Sequence, residues 1–286
     1  YNFYGKIIYY IMAETLTKTA VIGSPINHSL SPSIHNYWIK KNKIKTDVYQ
    51  KIKIDSLELN KKIHKLINGN FIGLNVTIPL KELAFNICEE LSETSKKLKA
   101  VNTLTFKNGK VIGNNTDPKG FINSINNKTK NTNIIKKNVL VVGAGGSARS
   151  IVYALNTMHA KIIIANRTPD KAKTLSRDLE VNLKTHKFNE IQDLVPNLDM
   201  IINTSSLGMS ENENLNLSLK EAKKNLYIYD LVYRPSQTNL LKEAEKNNLN
   251  YQNGLAMLVY QAAESFKIWH GVYPEITNEL FEILKR

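Results

Sequence analysis

The chain is poor in several things, and each shortage excludes something. Only one of its 286 residues is a cysteine, Cys88, which rules out an internal disulfide framework and any zinc site built from several thiolates. A single thiol fits a reducing, cytoplasmic setting. There is no run of about 18 apolar residues, so no membrane-spanning helix is expected. The histidines show no His-x-x-x-His pair with an acid, and Gly-x-Ser-x-Gly is missing, so metal and serine-hydrolase readings fail and no metal is expected. Arginine is scarce: Arg149, Arg167, Arg177, Arg234 and Arg286 stand against 34 lysines. Acids number 25 against 39 basic residues, for a formal net charge of +14. Such an excess points to anionic partners. The lysines are scattered among Glu and Asn, as at Lys61-Lys62, Lys96-Lys97 and Lys136-Lys137, with no basic stripe interleaved with aromatics. Nucleic acid is therefore not expected as a partner. Lys, Ile and the 35 Asn share A/T-rich codons, so base composition accounts for much of the lysine.

What is present reads as a globular protein. Hydrophobic residues make up 42% and charged residues 22%, and the length suits one large or two ordinary domains. Tyr1 to Ile11 precedes Met12 and has no signal-peptide cleavage site. It reads as an expression remnant or a stretch upstream of the true start, outside the fold. From Lys18 onward, strand and helix patterns alternate. Thr19 to Ile22 is a strand, and Ser31-Pro32 offers an N-cap and a first-turn proline. Asp47 to Ile54 alternates like a strand. Asp55 opens a helix that Asn68-Gly69 stops, and Phe71 to Val76 is the next strand. This alternation predicts a parallel sheet with crossover helices. A second unit begins near Lys137, with strands at Val139–Val142, Lys161–Ala165, Asp199–Ile202 and Leu226–Tyr229. The polar stretch Thr129–Lys137 marks a boundary, and Gly254–Trp269 is a long apolar helix.

Gly143-Ala144-Gly145-Gly146-Ser147-Ala148 lies between a strand and a helix, the context in which a glycine turn holds a pyrophosphate. Gly143 allows the tight turn, Gly145 the approach of backbone amides, and Ala148 close packing of helix on strand. The anion then sits at the positive end of the helix. The next strand ends in Asn166-Arg167-Thr168, where NAD sites usually carry an acid. An acid repels a 2′-phosphate, while the guanidinium fork of Arg167 attracts one, so NADP is favoured over NAD. Arg149 is expected to add a second positive charge near the phosphates.

The N-terminal unit places polar residues at successive strand ends. Ser29 and Ser31, next to a helix start, make a neutral carboxylate cradle; Ser31 as a plain N-cap is the alternative. Asn75 to Lys81, Ala100 to Thr103 and Gly113 to Asp117 carry Asn, Thr, Lys and Asp where open α/β sheets bind ligands, and their donors and acceptors suit a polyhydroxylated ring.

These blocks together resemble the shikimate dehydrogenase family: HSLSP (28–32), NVTIPLK (75–81), AVNT (100–103), NNTD (114–117), GAGGSAR (143–149), NRT (166–168) and NGLAMLVYQAA (253–263), then Trp269-His270-Gly271. They run in the family's order from about Lys18 to the end. The resemblance implies an α/β fold of two domains flanking a cleft. One is an N-terminal α/β substrate domain, residues 12–120 with 254–286. The other is a Rossmann-like NADP-binding domain, residues 121–253. It implies reversible, NADPH-dependent reduction of 3-dehydroshikimate to shikimate, with a small-molecule substrate and a monomer or homodimer. By position, Lys81 and Asp117 match the family's catalytic pair, and Ser29 and Ser31 the serines that hold the substrate carboxylate. Asn75, Thr77, Asn102 and Gln261 match residues bonding the ring hydroxyls, and Tyr233 matches a tyrosine near the substrate. Gly254 and Met257 match positions lining the nicotinamide pocket. The chain departs from the family at Pro118, where Gly or an aromatic is usual, and at Ala256, where the helix block commonly has a second Gly. Rival readings are a dual quinate/shikimate dehydrogenase using NAD, a folate-linked dehydrogenase of similar plan, and a non-catalytic NADP-sensing module.

Overall fold

The computed structural model describes residues 16–128, 134–210 and 212–285. The segment 1–11 lies outside these residues, as does 129–133 of the expected boundary stretch. Two six-stranded sheets organise the chain. The first contains β1 (Lys18–Gly23), β2 (Gln50–Lys53), β3 (Phe71–Val76), β4 (Glu90–Leu91), β5 (Thr103–Lys107) and β6 (Lys110–Asn114), in the order β2-β1-β3-β5-β6-β4. The second contains β7 (Asn138–Val142), β8 (Lys161–Asn166), β9 (Lys184–Lys187), β10 (Met200–Asn203), β11 (Tyr227–Asp230) and β12 (Asn250–Asn253), in the order β12-β11-β10-β7-β8-β9.

The first sheet corrects the expectation of an all-parallel one. β5 runs antiparallel to both β3 and β6. The cause is a two-residue hairpin at Asn108-Gly109, both with positive φ (53° and 73°), the turn that Asn-Gly favours. The expected strand at 47–54 shortens to β2. The helix expected from Asp55 begins as a short 3-10 turn at Ser56–Glu58 that leaves Leu57 fully exposed, and it becomes α-helical only from Leu59. β3 spans the six residues expected of it.

The second sheet is parallel throughout. Its strand order reverses at β7, and open α/β sheets bind ligands at such a switch point.

The α-helices of six or more residues are α1 (Ser31–Lys41), α2 (Leu59–Asn68), α3 (Lys81–Asn86), α4 (Glu93–Leu98), α5 (Asp117–Lys128), α6 (Gly146–Thr157), α7 (Pro169–Leu179), α8 (Asn239–Lys246), α9 (Leu255–His270) and α10 (Asn278–Lys285). Two of them join the sheets. On α5, Phe121 and Ile125 enter the core of the second sheet, and so does Met257 near the start of α9. Further along α9, Val259, Ala262 and Phe266 pack with Ile34 and Trp38 of α1 and with Leu280 of α10. Both helices lie close together because Gly120 has no side chain. A Cβ there would stand 2.7 Å from Gln261 Cβ and 2.8 Å from Gln261 N. At the far end of α9, Trp269 donates to Leu104 O at 3.0 Å and lies over Gly73 of β3, where any Cβ would collide with its indole.

His35 is sealed in this aromatic layer. It stacks on Tyr49 with ring centroids 4.2 Å apart and planes 6° from parallel. Burial, aided by nearby His270, lowers its pKa from 6.5 to about 3. Between those two values the unfolded chain binds more protons at this site than the folded chain, so stability falls as pH falls through that window. His35→Phe removes the titrating group and keeps an aromatic ring. In urea unfolding at about pH 7.5 and about pH 5, the variant is expected to lose less stability on acidification than the parent. Equal losses in both proteins would place the acid sensitivity elsewhere.

Candidate active site

The chain leaves β3 at Val76, passes through Thr77 and a cis Ile78–Pro79 peptide, and starts α3 at Lys81. Val101 N donates to Lys81 O at 2.8 Å and fixes that turn. Separately, β6 ends at Asn114, and α5 starts three residues later at Asp117. Asn115 Oδ1 accepts the Asp117 amide at 3.1 Å, and Gly120 N closes the first turn onto Thr116 O. Pro118 is the second helical residue, where its missing N–H costs nothing, so the departure at this position leaves Asp117 in place.

Lys81 and Asp117 meet across this junction. Lys81 Nζ lies 2.6 Å from Asp117 Oδ2, with the side chains 12% and 5% exposed. A pair this dry needs further hydrogen bonds to offset its desolvation. Asn102 supplies one, from Nδ2 to Asp117 Oδ1 at 2.8 Å.

A cavity of about 470 Å³ opens beside the pair. It brings together the expected substrate residues Ser29, Ser31, Asn75, Thr77, Asn102, Tyr233 and Gln261. Gly254, Met257 and Ser147 line it as well. Ser31 is not the N-cap. Leu30 holds that position, Ser31 is the first helical residue, and Ser29 Oγ accepts the Ser31 amide at 3.3 Å. Asn75 is held at both ends of its amide: Tyr49 OH donates to Oδ1 at 2.7 Å, and Nδ2 donates to Ser265 Oγ at 2.9 Å. Gln261 Oε1 accepts from Asn102 at 3.2 Å, and its Nε2 donates to Leu258 O at 2.7 Å. Burial raises the phenol of Tyr233, opposed by a bond to the Leu30 backbone. A Cβ on Gly254 would collide with the carbonyl of Leu231, so this position takes only glycine without movement.

The glycine turn follows β7. Gly143 has φ +111°, and a Cβ there would stand 2.8 Å from Thr204 Oγ1. Gly145 faces open space. Arg149 N bonds Gly145 O at 3.1 Å, which leaves the amides of Gly146, Ser147 and Ala148 ahead of the first helical bond. Ala144 packs against the core, and the Ala148 side chain is fully buried, so both offer backbone only. Asn166, Arg167 and Thr168 end β8 outside the cavity. Arg167 and Thr168 are exposed, and Asn166 Nδ2 donates to Thr168 O at 2.8 Å.

Arg149 overturns its expectation. Its side chain is 9% exposed, lies 2.8 Å from Asp178 Oδ2, and is not turned to the glycine turn as a free cation. His28 lines the cavity but precedes α1, so it shares no helix face with His35. Cys88 donates to Ala84 O at 3.0 Å, and burial pushes its thiol up to about 12, which keeps it protonated. The described residues contain no cluster of His, Cys, Asp and Glu able to hold a metal, and no helix long and apolar enough to cross a membrane.

Three features escaped the sequence reading. Thr204, Ser205 and Ser206 line the cavity just after β10, where the run Asn203-Thr204-Ser205-Ser206 was the available signal. Asp230, fully buried, accepts from Thr238, Asn203 and Val232 N and so holds the turn beside Gly254; burial raises it to about 6. Ser265, on the apolar α9, joins Asn75 to Thr103.

Three family descriptions match consecutive stretches: shikimate dehydrogenase substrate binding domain at 21–104, shikimate / quinate 5-dehydrogenase at 125–248, and shikimate 5′-dehydrogenase C-terminal domain at 254–277. The shikimate dehydrogenase (NADP(+)) of Pelagibacter ubique (strain HTCC1062) is 39% identical over 265 residues, 92% of this chain and 97% of its own. The chain belongs to the shikimate dehydrogenase family. A crystal structure of shikimate dehydrogenase from Aquifex aeolicus superposes with a TM-score of 0.86 at 33% identity, covering 96% of this chain and 98% of that one. The Thermus thermophilus shikimate 5-dehydrogenase, solved in complex with NADP(H) and shikimate, gives 0.80 at 29% identity, with 91% and 95% covered.

The residues present fit a dinucleotide. The space a Gly145 side chain would fill is open, and unbonded amides stand at the start of α6, the arrangement in which Rossmann-type folds take an anion. Gly145→Val would put a branched side chain into that space without touching the protein. Its thermal unfolding midpoint is expected to stay near the parent's while its Kd for NADP⁺, from quenching of intrinsic fluorescence, rises at least about tenfold. Undiminished binding would remove the turn from the cofactor site.

Proposed function

We propose that this chain catalyses the reversible reduction of 3-dehydroshikimate to shikimate with NADPH, with Lys81 and Asp117 handling the proton. The observation that carries this reading is the dry 2.6 Å Lys81–Asp117 pair, which faces one cavity together with Ser29, Ser31, Gly254 and Met257. In this reading, residues 12–120 with 254–286 form the substrate-binding domain and 121–253 the NADP-binding domain.

When bound, NADPH supplies the hydride. The backbone from Gly143 to Ala148 holds its pyrophosphate, Asn166, Arg167 and Thr168 its 2′-phosphate, and Gly254 and Met257 flank the nicotinamide. Ser29 and Ser31 take the substrate carboxylate, with Tyr233 beside them. Asn75, Thr77, Asn102 and Gln261 meet the ring hydroxyls. Their own bonds to Tyr49, Ser265 and Leu258 O hold Asn75 and Gln261 in one orientation, so little ordering remains to be done on binding. Lys81 Nζ donates its proton to the oxygen on which negative charge develops, and Asp117 keeps the amine aimed there. In the oxidative direction the amine of Lys81 receives the proton of the substrate hydroxyl.

Nicotinamide absorbance after mixing the protein with shikimate and NADP⁺ tests the reaction. Quinate and NAD⁺ serve as parallel arms, and a signal from those two alone would replace this reading with a quinate dehydrogenase. Lys81→Ala is expected to lower turnover about 10²- to 10⁴-fold with NADP⁺ affinity kept; unchanged turnover would remove Lys81 from the chemistry. Arg167→Ala is expected to raise KM for NADP⁺ about tenfold and leave that for NAD⁺ nearly unchanged, the scale of one charge-assisted hydrogen bond to a phosphate. Equal rises for both cofactors would show that Arg167 does not read the 2′-phosphate.

A further inference from the structure

The Arg149 guanidinium, predicted to face the phosphates, instead reaches from α6 to α7 of the same unit and to α3 and α4 beside the first sheet. Its Nη2 lies 2.8 Å from Asp178 Oδ2 on α7. Nη1 donates to Leu98 O at 3.4 Å, the last residue of α4, where the carbonyl end of a helix favours a cation. Nε lies 3.7 Å from Glu82 Oε1, and Glu82 follows Lys81 on α3. Asp178 is shared: Lys99 Nζ, just past α4, approaches its other oxygen at 2.8 Å. Lys99 and Arg149 together hold the Asp178 carboxyl below its usual range, Lys99 contributing most.

A second contact lies alongside. The position a Cβ would take on Gly146, the first residue of α6, is 3.3 Å from Lys81 Cβ and 3.5 Å from its Cδ. The glycine turn and the stem of Lys81 are therefore close neighbours, with room for a methyl group between them only if Lys81 gives a few tenths of an ångström. Whatever sets α6 against α3 and α4 sets the turn against Lys81.

We propose that Arg149 is a positioning residue for the reaction. It ties the start of α6, with the glycine turn, to α3 and α4, and so fixes the distance between the bound cofactor and the Lys81 amine, without touching the cofactor. The proposal rests on the reading of Lys81 as the proton-transfer group. It differs from a phosphate-binding role in what it predicts for affinity. A guanidinium serves because two acceptors in different directions, Asp178 Oδ2 and Leu98 O, with the Glu82 carboxylate 3.7 Å from Nε, suit a planar fork better than a compact ammonium.

Arg149→Met keeps the stem's packing and removes the fork. Asp178 stays paired with Lys99, and Glu82 is half solvent-exposed, so no buried charge is orphaned and the variant is expected to fold. Turnover is expected to fall about 10- to 100-fold, the effect of a misplacement of roughly 1 Å. Kd for NADP⁺ by fluorescence quenching should stay within about twofold. The Val101 amide, bonded to Lys81 O, should exchange its hydrogen faster, which reports the loosened turn directly. Arg149→Lys should restore part of the turnover. A Kd that rises at least about tenfold while turnover is kept would make Arg149 a phosphate ligand and overturn the proposal. Unchanged turnover, or lowered turnover with Val101 exchange unaltered, would overturn it as well. An active Lys81→Ala would instead sink the underlying reading, whatever Arg149 does.

Discussion

The side-chain amide of Asn102, 2% exposed, is where four parts of the chain are tied together. Its backbone carbonyl accepts from Val76 at the end of β3, and its N–H donates to Asn114 at the end of β6. The side-chain oxygen accepts from Thr116 N at 2.8 Å and from the Thr103 hydroxyl at 2.8 Å. The side-chain nitrogen serves Asp117 on α5 and Gln261 on α9. In a site this dry each of those partners would cost free energy if left unpaired, so the groups stabilise one arrangement collectively. The Asp117 carboxylate can stand beside Lys81 because its other oxygen is already occupied. The strand ends and the two joining helices are thus placed by the same bonds that hold the Lys81–Asp117 pair.

That arrangement reaches the second sheet through α5 and α9. Gly120 lets the helices touch at Gln261, one turn below Asp117, and Lys119 pairs with Glu264 at 2.8 Å across the same seam. Lys119 is largely exposed, so the ion pair adds little, and the close approach at Gly120 carries the registration. Since Met257 lies on α9 in the second sheet's core and Phe266 on the same helix packs with α1 and α10, a tilt of α9 would move both. The cavity is framed by this helix pair on one path and by the Arg149 cluster on another. Both paths end within a few residues of Lys81 or Asp117.

Much of this was legible in the sequence, and for physical reasons. Apolar runs such as Val139–Val142 and Phe71–Val76 can be little else than buried strands, and the polar groups that follow them fall at the strand ends where ligands bind. The resemblance to a known family then gave roles to residues that spacing alone left as turns. The errors share a cause: a local rule lost to a tertiary one. Ser31 has the sequence of an N-cap, yet the chain enters α1 one residue earlier and Ser29 accepts its amide. Arg149 stands just after the glycine turn, yet Asp178 and Glu82 come from elements 29 and 67 residues away in sequence and claim it. The hairpin that makes the first sheet mixed was announced by Asn108-Gly109, but the strand–helix alternation from Lys18 to Val76 drew the reading toward a parallel sheet. Ser265 gave no signal, because a lone hydroxyl on an apolar helix looks tolerated until its partners are known.

The net charge of +14 turns out to have little to do with the cavity. Of the residues lining it, only Lys81, Asp117 and Arg234 are formally charged, and Lys81 is matched by Asp117. Surface lysines pair with nearby acids, as Lys62 does with Glu58 and Lys96 with Glu93, at exposures where solvent screening leaves such pairs contributing little. Apart from Arg234 and the paired Lys81, the donors the cavity and the glycine turn offer an anion are neutral: the hydroxyls of Ser29 and Ser31, and the amides at the start of α6. This suits the proposed reaction. Substrate and product carry the same carboxylate, and a strong fixed charge on it would hold ground state and transition state equally, deepening binding without hastening the chemistry. Charge is useful only where it changes during the reaction, at the carbonyl oxygen. The dry, hydrogen-bonded ion pair of Lys81 and Asp117 faces the cavity where that oxygen would sit.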